Sequence, residues 1–310
     1  MIKMKRAHLI ANPKSGLGQG GNLSDQAKTI CNELGYELIE YVVSDPSQLE
    51  KKIEEAVKNA ENETDVLIAA GGDGTIRSVA QMAQNSKVRL GIVPCGTFNF
   101  FARTHQIPED HLLAFRLALE GTAQPVRLGK VNEHVFLNNA SLGLYSRIIR
   151  DRENRTDRFG RNRLVVILST FLTFFSKHFL LKVSIIIDEK VTSMYTPMIF
   201  IGNNTLQLRD LSLSVAGCMK QNYLAVVLMK PLRKLEIFRI LWRGFFKTLD
   251  DEESLTNFCV DSMTIHTRKS SHSMALDGEL IQVFSPLKIQ SYPGILNLVK
   301  PKSEAPKETP

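Results

Sequence analysis

The segment Gly71-Gly-Asp-Gly-Thr75 places three glycines, an acid and a hydroxyl directly after the apolar run Val66–Ala70. Glycines let the backbone approach a ligand closely and adopt positive φ. The residues that follow have helical apolar spacing, and the N–H groups at a helix start favour an anion. An acid in this loop suits the cation that accompanies a phosphate, or a hydrogen bond to a nucleotide. The segment predicts a nucleotide site, with a ligand-free strand–helix turn as the alternative.

Two further loops are small and polar. Asn12–Gly21 contains a lysine and several glycines, which suit phosphate, but it has neither the GK[ST] of a Walker A loop nor the GxGxxG spacing of a dinucleotide fingerprint. A flexible surface loop is the alternative there. In the second loop Gly96 permits a sharp turn, and Thr97 and Asn99 offer a hydroxyl and an amide to a ribose or an adenine. Thr97 is also a suitable N-cap for a helix that starts at Phe98, and both roles are compatible.

The fourth segment, Ala275–Glu279, lies far along the chain. Its Asp277-Gly278 pair predicts a hairpin turn between two strands. A carboxylate on a second domain that faces the nucleotide is well placed to act as a general base. A turn without a chemical role is the alternative.

Apolar patterning predicts the elements that carry the first three loops. Strands alternate with helices over residues 1–125, which is typical of a parallel sheet covered on both faces, a three-layer doubly wound α/β domain. Ligands bind beyond the carboxyl ends of the strands in such sheets, so the three loops meet at one edge. The predicted strands are Ala7–Ala11, Tyr36–Val43, Val66–Ala70 and Leu90–Pro94, and the predicted helices are Leu23–Leu34, Ser47–Ala60, Thr75–Gln84, Phe98–Thr104 and Glu109–Glu120.

Strand signals dominate residues 126–292 and predict an antiparallel β-sandwich domain. The strands include Val135–Asn139, Leu211–Val215 and Asn257–His266, and helical patterns interrupt them at Leu164–Phe175 and Leu232–Leu249. Residues 301–310 are polar and rich in proline, which predicts a disordered tail.

The composition is that of an ordinary soluble globular protein, with 43% hydrophobic and 23% charged residues among 310. The formal net charge of +7 favours anionic partners such as nucleotide phosphates or acidic lipid surfaces, unless it serves solubility alone.

The four cysteines form no CxxC pair, so they predict neither a metal finger nor a disulfide framework, and a reducing compartment fits. The longest apolar run, Leu164–Ser176, is shorter than the ~20 residues that cross a bilayer, and no signal peptide is recognisable. A cytoplasmic protein is expected.

The four motifs occur in a recognisable order: NPKSG at 12–16, GGDGT at 71–75, GTFNFFAR at 96–103 and LDGE at 276–279. Together they resemble the diacylglycerol kinase catalytic-domain family, which includes bacterial lipid kinases and sphingoid-base kinases. That family is similar to NAD kinases and phosphofructokinases through GGDGT. Phe136–Gly143 and Gly202–Asn204 resemble second-domain signatures of the bacterial members.

The resemblance implies ATP–Mg²⁺ in a cleft between a nucleotide-binding α/β domain, residues 1–125 with about 293–300 returning to it, and the β-sandwich domain. Glu279 would take the proton from a lipid hydroxyl, Asp277 would support Glu279 or the metal network, and Asp73 would reach Mg²⁺ through ATP. The residues implied in nucleotide binding are Asn12, Lys14, Ser15, Gly16, Ser44, Gly71, Gly72, Asp73, Gly74, Thr75, Ile76, Arg77, Gly96, Thr97 and Asn99.

Three positions depart from the family pattern. Phe100 stands where GTxND would have its aspartate, and Leu17 stands where many relatives carry a basic residue, for which Lys14 is a substitute. The best match to the acid that binds a structural Mg²⁺ in bacterial relatives is Gln221, which lacks the charge a hard cation prefers. These departures put the structural metal in doubt and predict an altered substrate, altered metal use or weak activity.

The function expected from the resemblance is an ATP-dependent lipid kinase acting on a diacylglycerol-like or related glycerolipid. A kinase of a soluble acceptor such as NAD, and a catalytically weak nucleotide- or lipid-binding regulator, are the alternatives. Leu235–Lys247 has an aromatic face and basic residues, which suit peripheral contact with an anionic membrane, although a core helix has the same pattern. Basic residues are too dispersed to favour nucleic acid. The sequence leaves the oligomeric state open, with a homodimer as one option.

Overall fold

The computed structural model describes residues 5–11, 20–43, 45–60, 64–144, 146, 149, 180–210, 217–218, 221–231 and 255–302. The chain divides into two compact units. Residues 1–127 with 293–310 form the first unit, and residues 128–292 form the second.

The first unit is built on a parallel sheet with the strand order β2-β1-β3-β4. The last residues of strand β16 (Leu287–Lys300) add to it in parallel beside β4. All six residues of β3 are buried, as expected for a strand covered on both faces. The four strands are β1 Lys5–Ala11, β2 Tyr36–Val42, β3 Val66–Gly71 and β4 Arg89–Pro94.

Helices cover both faces of this sheet. Helix α1 packs on β2 and α5, whereas α2 packs on α3 and β1. The crossover through α1 runs from β1 to β2, and the crossover through α2 runs the opposite way across the sheet, from β2 to β3. Since both crossovers are expected to be right-handed, these two pairs lie on opposite faces. The predicted three-layer doubly wound α/β arrangement is confirmed. The helices are α1 Gly20–Leu34, α2 Leu49–Asn59, α3 Asp73–Ala83, α4 Phe100–Thr104 and α5 His111–Glu120, with a 3₁₀ turn at Pro46–Gln48.

The second unit contains a six-stranded antiparallel sheet with the order β12-β11-β10-β7-β14-β15. A short helix, α6 (Thr205–Asp210), packs on β10. The strands are β7 Asn139–Gly143, β10 Met198–Gly202, β11 Leu224–Met229, β12 Leu255–Val260, β14 Ser271–Leu276 and β15 Glu279–Phe284.

A second layer of strands faces that sheet. Strands β9, β8, β13 and the first residues of β16 pair in that order, and β5 pairs with β6 and β16. Side chains from both layers, such as Phe136, Ile199, Ile265 and Met274, share one buried apolar core. The predicted β-sandwich is confirmed. The remaining strands are β5 Thr122–Val131, β6 His134–Phe136, β8 Leu181–Ile187, β9 Lys190–Thr196 and β13 Ser262–Thr267.

Several predicted boundaries in the second unit are wrong. The single strand predicted at Asn257–His266 is two strands, because β12 belongs to one sheet and β13 to the other, with Asp261 between them. Strand β6 ends at Phe136, so Val135–Asn139 is not one strand. The predicted elements Leu164–Phe175, Leu211–Val215 and Leu232–Leu249, and most of the tail, lie outside the described residues. No described helix is long and apolar enough to cross a membrane.

The expectation of a chain without disulfides is also wrong. Cys218 and Cys259 form a disulfide with a Cα–Cα distance of 5.4 Å, although 41 residues separate them in sequence. Cys218 packs in one buried apolar cluster with Ala225 of β11, and Ala225 lies opposite Cys259 of β12. Cys31 and Cys95 are buried thiols, and burial raises the pKa of each to about 11.

Candidate functional site

The GGDGT loop joins β3 to the start of α3. Helix α3 begins at Asp73, two residues earlier than predicted, with Gly72 at its N-cap in an extended conformation. Because Gly72 has no side chain, nothing from the N-cap position covers the first N–H groups of the helix. This is the arrangement that leaves a helix start accessible to an anion.

The loop after β4 lies against the GGDGT loop. The N–H of Cys95 donates to the carbonyl of Gly71 at 2.8 Å. A Cβ added to Gly96 would lie 2.9 Å from the Cα of Gly72, and one added to Gly71 would lie 2.6 Å from the Cβ of Thr75. Gly96 is therefore required by the close approach of the two loops, and Gly71 by its packing against Thr75 at the start of α3.

Asn99 fixes the shape of the second loop. It has the left-handed conformation (φ 46°, ψ 39°) and is only 7% exposed. Its Oδ1 accepts from the N–H of Gly96 at 2.9 Å, and its Nδ2 donates to the carbonyl of Gly96 at 3.0 Å. The interpretation of Thr97 as the N-cap of a helix starting at Phe98 is wrong, because Asn99 is the N-cap and α4 begins at Phe100. Thr97 is exposed, so its hydroxyl reaches solvent.

The carboxylate of Asp73, in the GGDGT loop, points towards the loop after β4. Its Oδ1 is 3.5 Å from the N–H of Phe101, at the start of α4. The ring of Phe100, at the position where the family pattern has a carboxylate, stacks on the ring of Phe98 with centroids 5.6 Å apart. Asp73 is half-buried, whereas Ile76 farther along α3 is fully buried and packs in the core.

The strand registers place the ends of β1 and β2 at the same edge of the sheet as the GGDGT loop. Ala11 pairs with Ala70 of β3 and with Val42 of β2, and Gly71 pairs with Pro94. The chain therefore leaves β1 and β2 level with the GGDGT loop. The predicted residues of these two exits lie outside the described residues, namely Asn12, Lys14, Ser15, Gly16 and Ser44.

A group of basic side chains adjoins α4, and sequence inspection did not single it out. Burial, and then the positive charges of Lys300 and Arg127, lower the pKa of His105 to about 3. Burial also lowers the pKa of Arg127 and of Lys300. His105 is therefore neutral at physiological pH, and the other two side chains provide positive charge in the first unit.

In the second unit, Asp277 and Gly278 form the two-residue turn between β14 and β15. Both have positive φ (51° and 90°), as a type I′ hairpin requires, so the predicted hairpin is confirmed. The carboxylate of Asp277 accepts from three consecutive backbone N–H groups, those of Leu137 (2.7 Å), Asn138 (2.7 Å) and Asn139 (2.9 Å).

Two asparagines extend this cluster. Asn204 Nδ2 donates to Asn138 Oδ1 at 2.7 Å, and Asn203 Nδ2 donates to the carbonyl of Leu137 at 2.9 Å. The segments 136–143, 202–204 and 276–279, which the sequence distinguishes separately, thus form one hydrogen-bonded cluster. Glu279 follows the turn as the first residue of β15 and is exposed.

The described residues show no preformed metal site. Among them, no group of three or more His, Cys, Asp or Glu side chains is placed to hold a metal ion. Gln221 is exposed, and Asn222 beside it has positive φ (62°).

Residues 6–131 match the family model described as diacylglycerol kinase catalytic domain. This stretch of the chain is therefore similar to a diacylglycerol kinase catalytic domain. It is 30% identical over 218 residues to a diacylglycerol kinase of Staphylococcus epidermidis (strain ATCC 35984), covering 70% of this chain and 65% of that relative. It is 35% identical over 150 residues to a diacylglycerol kinase of Staphylococcus aureus (strain MRSA252), covering 46% of this chain and 45% of that relative. The chain thus matches less than two thirds of the length of these curated relatives.

Solved structures share the fold of the whole chain. A diacylglycerol kinase from Bacillus anthracis has a TM-score of 0.70 at 19% identity and covers 97% of this chain and 98% of its own. A putative diacylglycerol kinase from the same organism has a TM-score of 0.72 at 20% identity, with 98% of each chain covered. Residues 6–131 are therefore followed in this chain by a β domain with the fold seen in those structures.

The packing of Gly96 generates a stability prediction. Gly96→Ala pushes the added Cβ into the backbone of Gly72, and we expect a loss of about 1–3 kcal/mol in the free energy of unfolding. Gly217→Ala is the control, because nothing lies within 4 Å of its added Cβ, and we expect a change within about 0.5 kcal/mol. Urea unfolding measures both. Equal stability of the two variants would show that the loops are not in close contact.

The Asp277 cluster generates a second prediction. Asp277→Ala leaves three N–H groups without their acceptor, so we expect a loss of about 3 kcal/mol or more. Asp277→Asn keeps one acceptor oxygen and tolerates the left-handed conformation, so its loss should be smaller. Hydrogen exchange at the amides of residues 137–139 gives a local measurement. Unchanged protection of these amides in Asp277→Ala would contradict the proposed contact.

Proposed function

We propose that the protein is an ATP-dependent lipid kinase, which transfers the γ-phosphoryl group of ATP to the hydroxyl of a diacylglycerol-like or related glycerolipid. The observation that carries the proposal is the contact between the GGDGT loop and the Gly96 loop at the carboxyl edge of the parallel sheet. Ligands of such sheets bind at this edge. The match of residues 6–131 to the diacylglycerol kinase catalytic domain supports it.

The nucleotide half of the site is proposed to lie on the first unit. Gly72 and Gly96 are half-buried and have no side chain to cover their backbone, and the start of α3 favours a phosphate. The carboxylate of Asp73 suits the Mg²⁺ that accompanies ATP, and the hydroxyl of Thr97 is free to contact the nucleotide from solvent. Bound ATP with Mg²⁺ would supply the phosphoryl group and neutralise part of its charge.

The remaining nucleotide residues are proposed from their place in the chain. Asn12, Lys14, Ser15 and Gly16 follow β1, and Ser44 follows β2 closely, at the same edge of the sheet. Gly74, Thr75, Ile76 and Arg77 belong to α3. Gly74 has no side chain and the side chains of the other three are buried, so backbone groups are their expected contribution. Asn99 contributes by holding the Gly96 loop.

Glu279 is the proposed general base. Its carboxylate is exposed, which leaves it accessible to an acceptor hydroxyl, and it would take the hydroxyl proton as the oxygen attacks phosphorus. Asp277 is the positioning residue, because its three hydrogen bonds fix the turn from which Glu279 begins. Positioning supplies most of the catalysis in phosphoryl transfer, so a fixed turn serves the reaction.

The acceptor is proposed to be presented at a membrane. The net charge of +7 favours an anionic lipid surface, and a lipid hydroxyl lies at such a surface. Contact would be peripheral and on the cytoplasmic side.

Glu279→Gln tests the proposed reaction. We expect the rate of lipid phosphorylation to fall at least about 100-fold, because the variant cannot accept the proton, while the affinity for ATP stays unchanged. Glu189→Gln is a matched control, since Glu189 is also an exposed glutamate at a two-residue hairpin. Transfer from radiolabelled ATP to a lipid extract, with separation of the products, measures the rate. Turnover of Glu279→Gln at the parent rate would remove Glu279 from the reaction.

The same assay distinguishes the two alternatives. A kinase of a soluble acceptor would label NAD or another soluble compound and would need no lipid. A regulator would bind ATP or lipid but transfer nothing, as the loss of the acid at Phe100 would suggest. Labelled lipid that depends on Glu279 would exclude both.

A further inference from the structure

A small cavity lies in the second unit, away from the Asp277 cluster. Its volume is about 220 Å³, and its lining includes Lys182 of β8, Tyr195 of β9 and the connection between β13 and β14. His272 in this lining and Asp277 are separated by five residues along β14 and its turn, or about 16 Å at the usual strand rise. The cavity is therefore distinct from the turn that carries Glu279.

The lining of the cavity carries positive charge. Lys182, Arg268 and Lys269 contribute three cationic side chains, and none of the described lining residues is acidic. Burial is the main cause that lowers the pKa of His272, so its imidazole is neutral at physiological pH and the three cations provide the charge. Closely placed Lys and Arg side chains form strong, charge-assisted hydrogen bonds with phosphate.

Hydrogen bonds fix the backbone that carries Arg268 and Lys269. The hydroxyl of Thr267 donates to the carbonyl of Lys269 at 2.7 Å, and His272 Nε2 lies 2.7 Å from the same hydroxyl oxygen. Since the hydroxyl has a single proton, His272 Nε2 is the donor in the second bond. Ser285 adds two bonds, accepting from the N–H of Thr267 at 3.1 Å and donating its own N–H to Ser270 at 2.9 Å. The basic turn is thus held in place before any ligand arrives.

Exposed apolar side chains border the same cavity. Leu180 is 45% exposed and Tyr195 is 53% exposed, and both belong to the lining. Tyrosine is enriched at the membrane–water interface, and basic residues beside it are attracted to anionic lipid. A pocket for a soluble anion needs no apolar border, so the border favours a lipid.

We propose that this cavity binds the phosphate headgroup of an anionic phospholipid and holds the second unit against the membrane surface. The cavity volume of about 220 Å³ suits a small group such as a phosphate, because it is below the ~300–1,000 Å³ of pockets that enclose drug-sized ligands. A phosphate fits among the three cations, and Leu180 and Tyr195 contact the lipid around it. The proposal concerns binding and does not require that the protein be a kinase.

Vesicle binding by the full chain tests the charge requirement. The variant Lys182→Gln/Arg268→Gln/Lys269→Gln should bind phosphatidylcholine vesicles containing phosphatidylglycerol about 100-fold more weakly than the parent. Each lost positive charge is expected to weaken binding roughly five-fold. The control Lys51→Gln/Lys58→Gln/Lys288→Gln loses the same charge at exposed positions elsewhere, and we expect a loss of less than about ten-fold. Equal losses in the two triple variants would overturn the proposal. Circular dichroism confirms folding, and Lys182→Gln alone serves if the triple variant does not fold.

A second comparison separates a lipid headgroup from free phosphate. Leu180→Ser/Tyr195→Ser should weaken vesicle binding about ten-fold while leaving the weak binding of inorganic phosphate unchanged, because only the lipid contacts the apolar border. If inorganic phosphate bound to the cavity and anionic vesicles did not, the lipid assignment would be wrong. The triple variant should still phosphorylate a water-soluble short-chain diacylglycerol, and Glu279→Gln should still bind vesicles. The outcome for the cavity therefore does not depend on that for the kinase reaction.

Discussion

The second unit depends on one carboxylate that accepts three backbone hydrogen bonds. Residues 137 and 138 connect β6 to β7, and Asn139 begins β7. A buried N–H without an acceptor is costly. Asp277 accepts all three of these bonds. The side-chain amide of Asn203 donates to the carbonyl of Leu137, and that of Asn204 donates to Asn138 Oδ1. The two acids of the DGE motif thus differ, since Asp277 accepts hydrogen bonds that hold the fold, whereas Glu279 is exposed to solvent.

The first unit reaches a fixed geometry by the opposite means. Its two loops approach because side chains are absent at Gly72 and Gly96, so backbone lies against backbone. Asn99 adds the one side chain that holds the second loop, and it uses both ends of its amide to do so. A backbone surface of this kind offers N–H groups to a ligand without the entropy cost of ordering long side chains.

Local patterns predicted the layers well, because β3 is continuously apolar and the helices have one buried face. The predictions failed where tertiary contacts determine which sheet a strand joins and where it ends. The apolar pattern continues through Asp261, yet the strands on either side join different sheets. Strand β9 is a polar edge strand with mostly exposed side chains, so no apolar signal marks it. The motif residues of the candidate site were found from sequence, but the partners of Asp277 were not, since they lie about 140 residues away in the chain.

Strand β16 has a consequence for synthesis of the protein. Its first residues complete the pairing of β13 in the second unit, and its last residues complete the edge of β4 in the first. Neither sheet is therefore complete until residues 287–300 have left the ribosome, although β1 to β4 are made long before. Such long-range pairing slows folding and leaves strand edges open in the nascent chain. The nascent first unit must wait with an unpaired β4 edge, which makes it a natural client for chaperones during translation.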